Sequence, residues 1–329
     1  DEVNSNTPWL EPITNFNICL EYGAAVRPLS LEHPNRPDIG VCVLGNANQG
    51  TVTIDTLPNI TDLLVRAQSH IMGRQNHPTP QANAFVKIYR DIGIGMSNHA
   101  YWNAKQGFRY GKKEALEAHN RWMEHFSFGL YTASLQLAIE LGAAPGFIYH
   151  DKVLPVNRYN KHVDELVTSK TYCDWAALDL AIQEHGLYNC GLSMIPPAET
   201  SAGPSNQTTG LEPIRDLMTI KDKSGVNYKQ FAPEAIKLAD KYDFAFDRDI
   251  NADFIKNVCV TQKWVDKGIS VNTFYNPEWN DGKILAKSII SDLFLLKYYG
   301  GKGRYYQNTK MSDEIELQTT TCEGGGCDV

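Results

Sequence analysis

Apolar residues recur at helical spacing through much of the chain. In NITDLLVRAQSHIMGRQ, Leu63, Leu64, Ala67 and Ile71 share one face, and Asn59 or Thr61 is placed to cap it. KKEALEAHNRWMEHFSFGLYTASLQLAIELGAAPG predicts a long helix stopped by Gly142 and Pro145. DWAALDLAIQEHG predicts a helix ended by Gly186, and APEAIKLADKY and DRDINADFIKNVCVTQKWVDKG predict two more. GKILAKSIISDLFLLKYYGG sets Leu285, Ile289, Leu293 and Leu296 along one side. Short apolar runs lie between these stretches. DIGVCVLGNANQG predicts a strand in which Val41 and Val43 flank Cys42, running into a Gly/Asn turn. NICLEYGAAV reads as a short strand or loop, and RDIGIGMSNHAYWNAKQG as small residues leading into a helix. NCGLSMIPPAETSAG predicts a strand entering a small-residue turn, and ISVNTFYNP and GRYYQNTK predict further strands. Helices alternating with short strands indicate an α/β architecture, either barrel-like or doubly wound.

The pattern stops at Lys310. MSDEIELQTTTCEGGGCDV turns acidic, then Thr-rich, then Gly-rich, and holds too little apolar surface for a core. The expected organisation is one body over 1–310 and a flexible tail over 311–329. The formal net charge of −7 argues against a dedicated polyanion binder. The longest apolar stretch is broken by Ser, Thr, Gln and Glu and reads as a buried helix, not a membrane span. DEVNSNTPWLEPITN has neither the basic nor the apolar region of a signal peptide. It begins without Met, so a processed, cleaved or trimmed start is expected. Seven widely spaced cysteines in a chain of this length fit a reducing compartment, the cytoplasm, better than a disulfide framework.

Several positions carry candidate chemistry. Cys322 and Cys327 enclose Glu323 and three glycines, a thiol pair with reach. No histidine or further cysteine stands nearby to complete a tetrahedral metal site, so the open alternatives are a redox shuttle or an accidental pair. If NFNICLEYG is extended, alternation puts Asn17, Cys19 and Glu21 on one side: an amide, a thiol and a carboxylate in one pocket. The plain alternative is a buried cysteine between two exposed polar residues. Cys42 can be a core residue, and Cys173, Cys190 and Cys259 read as structural. Tyr305 and Tyr306 are either an aromatic redox relay or a packed ring beside an exposed one. IPPAETSAG offers Thr200, Ser201 and successive backbone N–H groups to a phosphate, or simply caps a helix. The glycines of DIGIGMSNHA lack the third glycine and acidic partner of a dinucleotide fingerprint, and no P-loop is present.

In this order, NFNICLEY, VCVLGNANQG, RDIGIGMSNHAYWNAKQG, DWAALDLAIQEHGLYN, PAETSAGPSNQTTGLEP, SVNTFYNP, GRYYQNTK and CEGGGC resemble the C-terminal half of the large, catalytic subunit of class I ribonucleotide reductases. The resemblance implies half of a ten-stranded α/β barrel with a central finger loop. It implies that Cys19 holds a transient thiyl radical that takes the ribose 3′-hydrogen. Glu21 would accept the 3′-OH proton and Asn17 would bind the ribose hydroxyls. Cys42 would be one of two cysteines that reduce the substrate radical. Tyr305 and Tyr306 would relay the radical from a small subunit carrying a diiron-tyrosyl radical, and Cys322 and Cys327 would carry reducing equivalents from thioredoxin or glutaredoxin. Ala198, Glu199, Thr200 and Ser201 would bind the substrate phosphates, with Ala198 standing where relatives often have Ser.

The implied second reducing cysteine, five barrel strands and the allosteric sites belong to the family's N-terminal half. The expectation is therefore one chain of a split large subunit, inactive alone, with no cofactor or metal of its own and no nucleic-acid or membrane partner. A cobalamin-dependent relative would share the Cys19 motif but needs no tyrosine relay, and the glycyl-radical motif is absent. The non-enzymatic alternative is a fragment that only binds or regulates an intact reductase.

Overall fold

The computed structural model describes residue 13, residues 15–223 and residues 226–310, without the side chains of 199, 200 and 221–228. In chain order the elements are β1 (Asn15–Phe16), β2 (Gly23–Ala24), β3 (Leu44–Asn48), α1 (Leu57–Arg74), α2 (Pro80–Tyr89), β4 (Gly93–Ser97), α3 (His99–Gln106), α4 (Lys113–Leu141), α5 (Trp175–His185) and α6 (Glu199–Ala202). There follow β5 (Met218–Lys223), β6 (Val226–Phe231), α7 (Ala235–Leu238), α8 (Ile250–Gln262), β7 (Thr273–Tyr275), α9 (Ala286–Tyr298) and β8 (Gln307–Thr309).

Parallel pairing organises these elements. β3 lies parallel to β4, from Leu44 opposite Gly93 to Asn48 opposite Ser97. The 192–195 segment continues the array, with parallel bridges from Ser193 to Ile94 and from Ile195 to Ile269. The chain after 269 runs into β7, which pairs parallel with β8. Each crossover between neighbours carries helices, as parallel strands require. No closed sheet forms among the described residues. The α/β expectation is met; the expected half of a ten-stranded barrel does not stand out as one continuous sheet among the described residues.

α4 is the central helix. Leu116, Met123, Phe126, Leu130 and Leu137 are buried on it, in one core with Val65 and Met72 of α1 and Phe254 and Val258 of α8. It ends at Gly142, and α5 ends at Gly186, as their sequences indicate. Three expectations are corrected. α1 starts at Leu57 after Thr56, so neither Asn59 nor Thr61 caps it. Thr61 lies inside the helix and donates its hydroxyl to the Leu57 carbonyl at 2.8 Å. APEAIKLADKY forms only the four-residue α7 and one following 3₁₀ turn. The side of α9 expected to be buried is not: Leu296 is covered, but Leu285 and Leu293 are exposed. The β5–β6 hairpin has no counterpart in the sequence reading; its alternation is too weak to stand out.

Polar groups in this core are paired with care. Asp266, fully buried, accepts hydrogen bonds from Arg158 Nη2 at 2.6 Å, the Tyr131 hydroxyl at 2.6 Å and the backbone N–H groups of Leu192 and Ser193 at 2.9 and 3.2 Å. A second network joins His99 and His119. His99 Nδ1 meets Gln49 Oε1 at 2.8 Å, while its Nε2 faces the side-chain amides of Asn103 and Asn257. His119 Nδ1 meets Gln49 Nε2 at 3.0 Å, and its Nε2 meets Thr261 Oγ1 at 2.8 Å. One nitrogen of each ring thus accepts from an amide N–H, which leaves no place for a second proton. Among the described residues no helix is long and apolar enough to cross a membrane.

Two predictions follow from these networks. Asp266→Asn leaves Arg158 as an uncompensated buried cation, and the expected cost is about 3–5 kcal/mol in a denaturant titration; a loss under about 1 kcal/mol would contradict the assigned role. Burial pushes His119 down to about 3, and burial together with His119 pushes His99 well below the usual range. The unfolded chain binds these protons near pH 6.5 and the fold does not, so the contribution is complete above about 6.5 and is lost as pH falls toward about 3. Stability should decline between about pH 6.5 and 5, and less steeply in His119→Gln. An equal slope in the two proteins would count against the neutral pair.

Candidate active site

The stretch NFNICLEYG is a tight turn, not an extended strand. β1 and β2 pair antiparallel, Asn15 with Ala24 and Phe16 with Gly23. The Asn17 N–H donates to the Tyr22 carbonyl at 3.0 Å, the Leu20 N–H donates to the Asn17 carbonyl at 3.1 Å, and Leu20 takes a left-handed φ of 63°. Asn17 and Glu21 are still brought together, by the turn instead of by alternation. Asn17 Nδ2 donates to Glu21 Oε1 at 2.7 Å, and Asn17 Oδ1 accepts from the Tyr22 N–H at 3.0 Å. Ile18, between them, is left exposed, while Cys19 and Glu21 are buried. Burial raises the Glu21 carboxyl above its usual range, against the pull of a backbone hydrogen bond and the Asn17 amide. Its Oε2 is buried without a hydrogen-bond partner.

A close backbone contact seats this turn. The Gly268 N–H donates to the Glu21 carbonyl at 2.7 Å. A Cβ at 268 would stand 2.9 Å from the Leu20 carbonyl oxygen and 3.1 Å from that of Glu21, so a side chain there would push the turn away. Gly268 also accepts from the Ile195 N–H at 3.2 Å, which ties the turn to the parallel array. Sequence reasoning passed over Gly268; one glycine after WVDK gives no local signal of a distant partner.

The tyrosine pair lies on the approach to Cys19. The Tyr305 N–H donates to the Val271 carbonyl at 2.7 Å, and the Tyr306 carbonyl accepts from the Thr273 N–H at 2.9 Å, just ahead of β8. The rings are 3.8 Å apart between centroids and tilted by 38°. The Tyr305 hydroxyl donates to the Tyr306 hydroxyl at 2.9 Å and shares a second hydrogen bond with the Cys19 thiol. Burial, then these two bonds, raises the Tyr305 phenol far above its usual range. Tyr306 is 46% exposed and Cys19 8%, so the three groups run from surface to interior.

Cys42 lies just before β3, half-buried and not yet in the strand. Burial, then the Asp91 and Glu21 carboxylates, pushes its thiol up to about 12, with Lys267 acting in the opposite sense. Cys190 and Cys259 are buried and not in disulfides, and Cys173 is half-buried. Ala198 takes a left-handed φ of 56° and leads into α6; its carbonyl accepts from the Ala202 N–H at 2.9 Å and from Ser201 Oγ at 3.3 Å. The Ser201 hydroxyl is thus turned to its own backbone. The backbone of Glu199 and Thr200 starts α6, while their side chains, and the whole of Cys322 and Cys327, lie outside the described residues. Among the described residues there is no cluster of three or more His, Cys, Asp or Glu side chains fit for a metal ion.

Comparison with known proteins shows the family. The family model described as ribonucleotide reductase, barrel domain, matches residues 1–307. The ribonucleoside-diphosphate reductase subunit alpha of Haemophilus influenzae is 35% identical over the whole of this chain and 45% of its own length. The ribonucleoside-diphosphate reductase 1 subunit alpha of Escherichia coli is 33% identical over 100% of this chain and 45% of its own length. That of enterobacteria phage T4 is 31% identical over 97% and 44%. The chain therefore spans less than half the length of these relatives. With a match across nearly its whole length, it belongs to the ribonucleotide reductase barrel-domain family.

Proposed function

We propose that this chain is the catalytic part of a ribonucleoside-diphosphate reductase, converting ribonucleotides to 2′-deoxyribonucleotides by thiyl-radical chemistry. The observation that carries the reading is the hydrogen-bonded path from exposed Tyr306 through Tyr305 to the buried Cys19 thiol. Along it, a Tyr305 phenoxyl radical takes the hydrogen atom of the Cys19 thiol, leaving a phenol and a thiyl. The phenoxyl is regenerated from Tyr306, which stands at the surface where a small subunit with a diiron-tyrosyl radical would dock. The Cys19 thiyl then takes the ribose 3′-hydrogen and becomes a thiol again.

The unpartnered Oε2 of Glu21 is placed to accept the 3′-OH proton, and its raised proton affinity makes it a stronger base. Asn17 holds the other carboxylate oxygen and orients the substrate hydroxyls. Burial of Cys19 shields the thiyl from water. The 2′-OH leaves as water. Cys42 and a second cysteine from the N-terminal half supply two electrons and two protons and end as a disulfide, and the Cys19 thiol returns its hydrogen atom to C3′, which regenerates the thiyl. Cys322 and Cys327 would reduce that disulfide by exchange and be reduced in turn by thioredoxin or glutaredoxin. The turn over Ala198, Glu199, Thr200 and Ser201 would bind the substrate phosphates mainly through backbone N–H groups. The chain would work with a separate one supplying the N-terminal half. The open parallel array, the exposed Leu285 just before α9 and the exposed Leu293 and Phe294 on it support that dependence.

With the N-terminal half and the small subunit supplied, CDP reduction should fall to background in Cys19→Ser and in Tyr306→Phe. Activity surviving Cys19→Ser would rule out the radical role, and activity surviving Tyr306→Phe would remove the relay. Replacing both Cys322 and Cys327 with Ser should spare a single turnover and abolish multiple turnover with thioredoxin; undiminished multiple turnover would sink the shuttle.

A further inference from the structure

Successive side chains on a strand point to opposite faces, yet Tyr305 and Tyr306 are consecutive and their ring centroids are 3.8 Å apart. The backbone shows how. In a regular parallel ladder one residue bonds through its N–H and its carbonyl to the two residues that flank its opposite number. Here that pair of bonds is divided. The Tyr305 N–H donates to the Val271 carbonyl at 2.7 Å, but it is the Tyr306 carbonyl that accepts from the Thr273 N–H, at 2.9 Å. Two residues thus oppose one, Asn272, which makes a β-bulge at the entry to the β7–β8 pair. A bulge takes a side chain out of alternation and leaves one N–H of the ladder over, here that of Tyr306. The Asn272 side chain receives it: the Tyr306 N–H donates to Asn272 Oδ1 at 3.1 Å. Asn272 Nδ2 in turn donates to Glu212 Oε1 at 2.5 Å. Asn272 is buried, and the segment carrying Glu212 is tied down on both sides. The Leu211 carbonyl accepts from the Tyr110 hydroxyl at 2.7 Å, and Ile214 makes a parallel bridge to Phe244.

We propose that Asn272, oriented by Glu212, is a positioning residue for the tyrosine pair: its side chain closes the bulge that stacks Tyr306 on Tyr305. The inference deepens the functional reading, because it rests on the pair as a radical relay. Transfer between the two phenols runs through their hydroxyl contact at 2.9 Å, and a return to strand alternation would break that contact. Tyr306 is half-exposed, so packing does little to hold its ring, and its backbone must. Thr273 holds its carbonyl and Asn272 holds its N–H. Glu212 decides which way the Asn272 amide faces. A carboxylate accepts only from the amide nitrogen, which leaves the amide oxygen for the Tyr306 N–H.

The test is amide hydrogen exchange read residue by residue in the full chain, beside CDP reduction with the N-terminal half and the small subunit supplied. Asn272→Leu should accelerate exchange of the Tyr306 N–H by about tenfold or more, the scale of one buried hydrogen bond. The Lys310 N–H, which donates to the Tyr275 carbonyl at 2.9 Å, should keep its rate. In the same variant kcat should fall by about tenfold, with KM for CDP unchanged. Asn272→Asp sets two carboxylates face to face and should act in the same direction. Adding Glu212→Gln to it rebuilds the pair with donor and acceptor exchanged, and the new carboxylate at 272 still accepts from Tyr306. Protection of Tyr306 and kcat should then return to within about threefold of the wild type. A variant that merely loosens the fold would accelerate Lys310 as well, and the exchanged pair then decides. Unchanged Tyr306 exchange in Asn272→Leu, wild-type kcat despite faster exchange, or an exchanged pair that does not recover Tyr306 protection overturns the proposal. Hydrogen exchange needs no turnover. Absence of CDP reduction in every protein, the wild type included, would overturn the functional reading alone, and unchanged exchange would overturn this inference alone.

Discussion

The buried carboxylate of Asp266 is the constraint on which the rest of the structure depends. An ionised carboxylate in a protein interior is tolerated only when its lone pairs are filled. Arg158, Tyr131 and the N–H groups of Leu192 and Ser193 fill them here. Those partners come from α4, from the loop after it and from the central parallel segment. The backbone of Asp266 adds to this: its N–H donates to Ser193 Oγ at 2.9 Å and its carbonyl accepts from Lys302 Nζ at 2.9 Å. One residue thereby orients the helix layer, the parallel array and the segment leading to the tyrosine pair.

The two residues after it extend that control to the site. Lys267 reaches Asp91, whose carboxylate holds Tyr22 at the end of the turn. Gly268 meets the Glu21 carbonyl directly. The turn bearing Asn17, Cys19 and Glu21 is thus fixed at its last residues, while Ile18 at its tip projects into solvent. The turn that carries Cys19 is thus held both by its own hydrogen bonds and by the tripeptide 266–268.

Much of the fold was legible along the chain. α4 and α5 were marked by helical periodicity and by the glycines that end them, and these signals are local. The pairing of Asn17 with Glu21 was also legible, although for the wrong reason. Strand alternation and a turn closed from Asn17 to Glu21 both put these two side chains together, and spacing alone does not separate the two. α9 shows the opposite failure. Its apolar side was clear in the sequence, but burial depends on what lies opposite, and among the described residues only Leu296 is covered. The charged cluster went unseen because Tyr22, Asp91 and Lys267 are far apart in sequence and unremarkable singly.

The sequence by itself determined the helices, the α/β character and the residue types able to do thiol and radical chemistry, because periodicity, breakers and side-chain reactivity are properties of short segments. Only the tertiary structure decided that Tyr305 bonds to Cys19, that Gly268 seats the Glu21 backbone and that Asp91 holds Tyr22. Each of those contacts joins segments distant along the chain. Their geometry is set by how the parallel segments pair and by which buried charge finds which partner, and no local pattern encodes that.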